Sequence, residues 1–190
     1  MLISLNPRLS LLGLSLLSSF SALACNDTRF SDFDFWVGEW EVRYANGEVA
    51  GTNTISPSLN GCALEEHYVA ANGYEGKSLN TFDQSTQQWH QTWVDNTGLV
   101  LQLDGNLSEN KMALWGKGLD QSGKLIMHRI VWEKLAVAPQ GQRPSLTQTW
   151  QVSQDQGLSW QTLFEGLYFK AHAAENQDDK TPQQPVFNGR

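Results

Sequence analysis

The chain has 190 residues, 40% of them hydrophobic, and a formal net charge of −7. This acidic balance disfavours nucleic acids and anionic membrane surfaces as partners, because both repel a negative protein surface. Eight tryptophans and eight phenylalanines provide enough aromatic side chains for the core of a single domain.

Residues 1–24 have the pattern of a secretory signal peptide. Arg8 supplies positive charge, an apolar stretch of leucine and serine follows, and residues 22–24 read Ala-Leu-Ala, a small-x-small cleavage site. The stretch is too short and too rich in serine for a membrane-spanning helix. We therefore expect cleavage near Ala24 and a periplasmic or secreted protein without an integral membrane segment. Loss of Arg8 would change the net charge from −7 to −8.

The two cysteines, Cys25 and Cys62, are predicted to form a disulfide, because an exported chain folds in an oxidising compartment. The alternative is a lipid anchor on Cys25, which would be the first residue after cleavage. The position of Leu23 disfavours lipidation, since lipoprotein signals usually place the large residue three positions before the cysteine. The two interpretations exclude each other, because a lipidated cysteine has no free sulfur.

After the signal segment, short apolar and alternating segments separated by turn residues predict about ten β-strands. The predicted strands are 37–45, 48–56, 62–70, 77–83, 87–94, 99–103, 111–116, 124–135, 145–152 and 160–170. The only helical candidate is one turn near 30–36, and Asp-Gly-Asn at 104–106 predicts a break after the sixth strand. Short connections favour an all-β, up-and-down antiparallel barrel, since closure removes exposed edges.

The predicted domain organisation has three parts. Residues 1–24 are the signal peptide, 25–170 form a single barrel domain, and 171–190 form a polar, apolar-poor tail that we expect to be disordered.

Gly38 and Trp40, which follow a short aromatic turn, resemble the N-terminal signature of the lipocalin and fatty-acid-binding-protein superfamily. The resemblance implies that the glycine allows the chain to turn tightly into the first strand and that the tryptophan closes one barrel end. The basic residue that covers this tryptophan in lipocalins has no clear equivalent, although Lys170 ends the last predicted strand. The strand count is more similar to the nitrobindin-type barrel. Nitrobindins bind haem through a late histidine, but His172 lies beyond the last predicted strand, so we expect no cofactor.

A second resemblance covers nearly the whole chain after the signal segment. Four motifs together are similar to a family of bacterial secreted proteins of unknown function: FDFWVGEW at 33–40, GCALEE at 61–66, QTWVD at 91–95 and FEGLY at 164–168. The resemblance implies relatives but no activity.

Several strand faces combine aromatic and polar side chains, which is typical of a ligand cavity. Buried glutamines need hydrogen-bond partners, so the alternatives are a polar network inside the barrel or an outward aromatic face. The predicted ligand-binding residues are Tyr68, Trp89, Gln91, Trp93, Arg129, Gln148 and Trp150.

Glu66 is the weak catalytic candidate. It shares its strand face with Leu64 and Tyr68, so it is predicted to point into the barrel, where burial would raise its pKa and suit a general acid or base. The alternative is an ion pair with Arg129, whose strand is predicted to turn 125, 127, 129 and 131 inward. Such a pair would also anchor a polar ligand group.

No metal site is predicted, because His67, His90 and His128 lie on separate strands without ligand spacing. Residues 153–160 fit Ser-x-Asp-x-Gly-x-x-Trp, in which the serine and aspartate bond turn amides, so we interpret this segment as a local hairpin device.

Three functional hypotheses remain. The first is an exported barrel that binds a small, mainly apolar or aromatic molecule. The second is an enzyme of the isomerase, cyclase or hydrolase type that uses Glu66 as an acid or base. The third is a cell-envelope interaction module, which predicts a contiguous exposed aromatic patch. The sequence leaves the oligomeric state open.

Overall fold

The structure is a computed structural model that describes residues 25–120, 122–136 and 143–171. It contains a closed barrel of ten antiparallel strands, in which each strand pairs with the next and the last pairs with the first. This confirms the predicted all-β, up-and-down fold. The strands are β1 (Gly38–Arg43), β2 (Val49–Ser58), β3 (Ala63–Ala70), β4 (Glu75–Asp83), β5 (Gln88–Asp95), β6 (Val100–Ser108), β7 (Lys111–Leu119), β8 (Leu125–Lys134), β9 (Leu146–Ser153) and β10 (Gln161–Lys170).

Three sequence predictions concern residues outside the described ranges. These are the signal segment at 1–24, the tail from residue 172 onward and the position of His172. Among the described residues, no helix has both the length and the apolar character needed to cross a membrane.

The predicted break at 104–106 is wrong, because β6 continues through it to Ser108. Gly105 pairs with Leu114 in the neighbouring strand β7. A Cβ atom on Gly105 would lie 2.0 Å from the carbonyl oxygen of Ala113. The glycine therefore serves a close approach of two strand backbones and does not mark a turn.

One end of the barrel is closed by the aromatic segment that precedes β1. Two 3₁₀ turns, Thr28–Ser31 and Asp34–Trp36, form where one helical turn was predicted. They place three buried rings at this end, here called the plug: Phe30, Phe33 and Trp36. The Phe33 ring centroid lies 5.0 Å from that of Trp132, so the plug packs directly against the inner face of β8. Aromatic side chains thereby fill the interior at this end of the barrel.

Gly38 and Trp40 lie where the chain enters β1. Gly38 has a φ of +138°, a conformation that favours glycine. The buried Trp40 indole donates from Nε1 to the Trp36 carbonyl oxygen at 2.8 Å. Lys170 provides the basic cover that the sequence did not clearly assign: its Nζ lies 3.8 Å from the centroid of the Trp40 ring and donates to the Val37 carbonyl oxygen at 2.8 Å.

The predicted disulfide between Cys25 and Cys62 is present, with the two Cα atoms 5.3 Å apart. It links the start of the described chain to the residue before β3, beside the plug. The sulfur of Cys25 is bonded in this structure, which leaves none for a lipid anchor.

Candidate ligand-binding cup

The opposite half of the barrel contains a cavity of about 240 Å³, here called the cup. Every strand end that borders it lies at the end of the barrel away from the plug. Tyr44 and Leu163 at its mouth are 41% and 49% exposed, so the cup opens to solvent. The lining residues are Tyr44, Glu66, Tyr68, Ala70, Asn72, Tyr74, Gln91, Trp93, Leu101, Ile130, Gln148, Trp150, Leu163 and Phe164.

The wall of the cup is mainly aromatic. The rings of Tyr74 and Trp93 stack with centroids 6.4 Å apart, and those of Tyr68 and Phe164 meet edge to face at 6.3 Å. The Tyr74 hydroxyl donates to Oδ2 of Asp95 at 2.7 Å, which fixes the ring of Tyr74 in place. Offset and edge-to-face pairs are favourable arrangements for aromatic rings, so this wall is pre-formed.

Polar side chains form a layer between the cup and the plug, here called the floor. Its members point inward from six strands and are hydrogen-bonded in one connected network. They are Asn53, Glu66, Ser78, Asn80, Gln91, Gln148 and Tyr168.

Glu66 is at the centre of the floor and is 5% exposed. Its Oε1 accepts from Asn53 Nδ2 at 2.8 Å, and its Oε2 accepts from the Ser78 hydroxyl at 2.6 Å. Burial raises the pKa of Glu66 to about 7, although these two hydrogen bonds act in the opposite direction. At neutral pH the carboxyl group is therefore close to half ionised.

The network continues on both sides of Glu66. On one side, Gln91 Nε2 donates to Asn80 Oδ1 at 2.9 Å, and Asn80 Nδ2 donates to the Ser78 hydroxyl at 2.8 Å. On the other side, Asn53 Nδ2 also donates to the Tyr168 hydroxyl at 3.1 Å. Tyr168 in turn donates to Oε1 of Gln148.

The floor has acceptor atoms without partners. Oε1 of Gln91 and Oδ1 of Asn53 are buried and have no hydrogen bond within the described residues. Gln91 lines the cup as well as the floor. Buried polar atoms normally have a partner, so a ligand donor in the cup would satisfy the Gln91 oxygen.

Five of the seven predicted ligand-binding residues lie around this cavity. Tyr68, Trp93 and Trp150 belong to its wall, and Gln91 and Gln148 belong to its floor. The predicted inward position of Glu66 is also correct. Of the alternatives for the glutamines, the structure combines two, since a hydrogen-bonded polar network underlies an open cavity.

Trp89 does not line the cup, and this prediction needs correction. Its indole is 1% exposed, lies 5.6 Å from the Phe33 ring and donates from Nε1 to the Arg29 carbonyl oxygen at 3.1 Å. It shares the inward face of β5 with Gln91, but it lies two residues closer to the plug. Alternation along the strand predicted the correct face but gave no information on depth.

Arg129 is not inside the barrel, and it forms no ion pair with Glu66. Its side chain lies on the outer face, where Nε donates to Gln151 Oε1 at 3.1 Å and the guanidinium stacks 4.2 Å from the Trp160 centroid. The inward residues of β8 are His128, Ile130 and Trp132. The prediction assigned the inward face of this strand to the odd-numbered residues, whereas the even-numbered residues point inward. The error arose because both faces of β8 carry apolar side chains.

The hairpin device at 153–160 forms as predicted and supports this outer-face contact. The Ser153 hydroxyl accepts from the Gly157 amide at 2.8 Å, and Asp155 Oδ1 accepts from the Ser159 amide at 2.9 Å. The Trp160 indole then donates to the Gly157 carbonyl oxygen at 3.1 Å.

The three histidines of the described chain are well separated. His67 faces Glu75, His90 faces Asp104, and each pair joins nitrogen to oxygen at 2.7 Å. His128 is buried beneath Trp150, whose Nε1 donates to Nδ1 at 3.2 Å, and burial lowers the pKa of this histidine. Within residues 25–120, 122–136 and 143–171, no three potential metal ligands of the His, Cys, Asp or Glu type come together.

The sequence interpretation missed several residues of the site. Tyr74 lies beside a turn, where strand alternation makes no prediction, and Tyr44 is near the end of the predicted strand 37–45, on the face that it shares with Trp40 and Val42. Asn53, Ser78 and Asn80, in contrast, follow the inward alternation of β2 and β4. The same argument that selected Gln91, polar residues on an inward face, would have found them.

Exposed aromatic side chains do not form a patch on the described surface. Those among the large exposed hydrophobic residues are Tyr44 and Trp115, at 41% and 47%. They lie on opposite sides of the barrel, since Tyr44 follows β1 and Trp115 is in β7. The contiguous patch that the interaction-module hypothesis predicts is absent from the residues described.

No protein-family model matches this chain, and no curated protein is significantly similar to it. The resemblance to a secreted bacterial family therefore stays a prediction.

Proposed function

We propose that this chain is an exported binding protein that holds a small, mainly apolar molecule in the cup. The observation that carries the proposal is the asymmetry of the barrel interior. One half is filled by the plug, whereas the other half has an aromatic wall, a polar floor and an open cavity of about 240 Å³. Pockets with mostly apolar walls and a few convergent polar groups are the usual small-molecule sites.

The size of the cup limits the ligand. Pockets that take drug-sized molecules usually measure roughly 300–1,000 Å³, and the cup is slightly smaller. A molecule with one aromatic ring and a short polar substituent fits this volume. The ring would contact Trp93 and Trp150, and the substituent would reach the floor at Glu66 and Gln91.

Export is supported by two separate features. The signal pattern at 1–24 predicts secretion, and the disulfide between Cys25 and Cys62 is typical of proteins that fold outside the cytosol. Together they favour the periplasm or the extracellular medium as the place where the ligand is bound.

The test is a binding assay on matched tryptophan variants. Indole, phenol, toluene and short-chain fatty acids would be titrated into the purified protein while tryptophan fluorescence and heat are recorded. We expect at least one of them to bind, and Trp93→Leu to weaken that binding about tenfold or more, because the ring forms part of the wall. Trp115→Leu, on the outer face, is the control and should change the affinity less than twofold.

The proposal fails if no compound changes the fluorescence or releases heat and native mass spectrometry finds no co-purified molecule. It also fails if Trp115→Leu weakens binding as much as Trp93→Leu does, since the ligand would then bind outside the cup.

A second candidate function is catalysis by Glu66. The supporting observation is that this carboxyl group borders the cup and has a pKa of about 7, a value that suits proton transfer at neutral pH. If the protein is an enzyme, a cup ligand should be converted during incubation, as followed by NMR. Glu66→Gln should stop the conversion while the bound ligand still quenches Trp93. A ligand that binds and is recovered unchanged excludes this second function for that ligand.

A further inference from the structure

We propose that the ligand of the cup carries an ammonium group, which binds at the floor between the Glu66 carboxylate and Oε1 of Gln91. This inference rests on the proposed function and specifies the chemical class of its ligand: a small aromatic or aliphatic amine.

The unpartnered positions of the floor are mainly hydrogen-bond acceptors. Each oxygen of Glu66 accepts one hydrogen bond from the network, and an ionised carboxylate has about four acceptor positions. Oε1 of Gln91 is buried and accepts none, whereas its Nε2 already donates to Asn80 and Ser78. An ammonium group has three donors and no acceptor, so it matches this set.

The exception is Gln148, whose Oε1 accepts from Tyr168 and whose amide nitrogen has no bond within the floor. It lines the cup together with Glu66 and Gln91 and is available to a second polar group of the ligand. It carries no charge and does not oppose a cation.

Glu66 also lacks a counter-ion. None of the ion pairs of the described residues includes it, and no basic side chain contributes to the shift of its pKa. A buried carboxylate without a cation is unfavourable, and an opposite charge in contact with it restores the balance. A ligand ammonium would supply that charge from the cup.

The aromatic wall favours the same class of ligand. Tyr68 and Tyr74 line the cup together with Glu66, and aromatic faces attract cations within about 6 Å of their centroids. A carboxylate ligand would meet the negative charge of Glu66 instead. A neutral alcohol would form the hydrogen bonds but would leave the carboxylate without a counter-ion.

The experiment compares three probes with the same ring and a similar chain: 2-phenylethylamine, 2-phenylethanol and 3-phenylpropanoate. Affinities for the full-length secreted protein are measured by calorimetry at pH 8. We expect the amine to bind about tenfold or more tightly than the alcohol, and the propanoate to bind most weakly. In Glu66→Gln the preference for amine over alcohol should fall below threefold, whereas Glu65→Gln, on the outer face of β3, should keep it.

A pH series on the unmodified protein provides a second readout that does not depend on the folding of a variant. The titratable groups that face Glu66 are the hydroxyls of Tyr68, Tyr74 and Tyr168, whose pKa values are raised by burial, so all three stay neutral between pH 5.5 and 8. The ionised fraction of a carboxyl with a pKa of about 7 falls about 30-fold from pH 8 to 5.5. Amine affinity should fall accordingly, and alcohol affinity should change less than threefold.

Equal affinities for amine and alcohol, or amine affinity independent of pH, would overturn the amine assignment but leave the proposed function intact. Tighter binding of the propanoate would overturn it in favour of an acidic ligand that shares a proton with Glu66. Absence of binding by all three probes, together with the failed titrations described above, would overturn both.

Discussion

Replacing Glu66 by glutamine should stabilise the folded protein at alkaline pH. The carboxyl group is 5% exposed, and burial raises its pKa from 4.5 to about 7. Glutamine has nearly the same shape, keeps an oxygen that can accept from Asn53, and never ionises. The variant therefore removes the burial of charge while leaving the packing of the floor almost unchanged.

The direction follows from proton binding in the two states. Between pH 4.5 and 7 the folded state holds the Glu66 proton more tightly than the unfolded state does, so the free energy of unfolding decreases as the pH rises through this window. A pKa difference of one unit between the folded and unfolded states changes the free energy of unfolding by 1.36 kcal/mol. The rise in the pKa of Glu66 from 4.5 to about 7 therefore lowers the free energy of unfolding by about 3 kcal/mol in total. About 2.5 kcal/mol of this is lost between pH 5 and 8.

The assay is urea unfolding followed by tryptophan fluorescence at several pH values from 5 to 8. The free energy of unfolding of the wild-type protein should decrease by about 2.5 kcal/mol relative to Glu66→Gln over this range. Glu65→Gln, one residue away but exposed, should keep the wild-type pH dependence. If wild type and Glu66→Gln show parallel profiles, the carboxyl titrates near its ordinary pKa and the argument from burial is refuted.

Three further changes test other parts of the structure. Replacing Cys25 and Cys62 by serine should lower the free energy of unfolding by about 4 kcal/mol, since the crosslink spans 37 residues; a loss below about 1 kcal/mol in urea unfolding would contradict a structural role. Arg129→Met should have a ligand affinity within twofold of wild type in calorimetry, because the side chain is on the outer face. A tenfold loss of affinity would show that Arg129 lines the cup after all. Gly76→Ala should weaken ligand binding about tenfold and alter the near-ultraviolet circular dichroism, because its Cβ would lie 2.1 Å from the Trp93 ring; unchanged affinity would show that the position of this ring is not important.

The sequence predicted the fold well because each strand is specified locally. Turn signals such as Asn46-Gly47 and Asn72-Gly73 separate segments of suitable length, and all ten predicted strands are present. The failure at Gly105 has a clear cause. Glycine marks both turns and close backbone contacts, and only the neighbouring strand, whose Ala113 carbonyl oxygen approaches Gly105, distinguishes the two.

The site was predicted less well because it depends on two quantities that alternation does not contain. The first is depth along the barrel: Trp89 and Trp93 share a face, but only the latter is above the floor. The second is which face of a strand points inward when both faces carry apolar residues. This ambiguity led to the prediction that Arg129 points inward, whereas His128 is the buried residue. Pairing with β7 and β9 fixes that face, and no local pattern reports it.

The floor distinguishes the proposed ligand site from a packing defect. A glutamine at position 66 would keep an acceptor for Asn53 and would not ionise, so it would avoid the loss of stability at neutral pH. Burying an acidic group there has a stability cost of about 3 kcal/mol above pH 7, because no basic residue of the described chain pairs with it. Unfavourable buried charges of this kind occur mainly where the charge is used. An ammonium ligand would offset the cost on binding, so the feature that weakens the empty barrel is the one that would select its ligand.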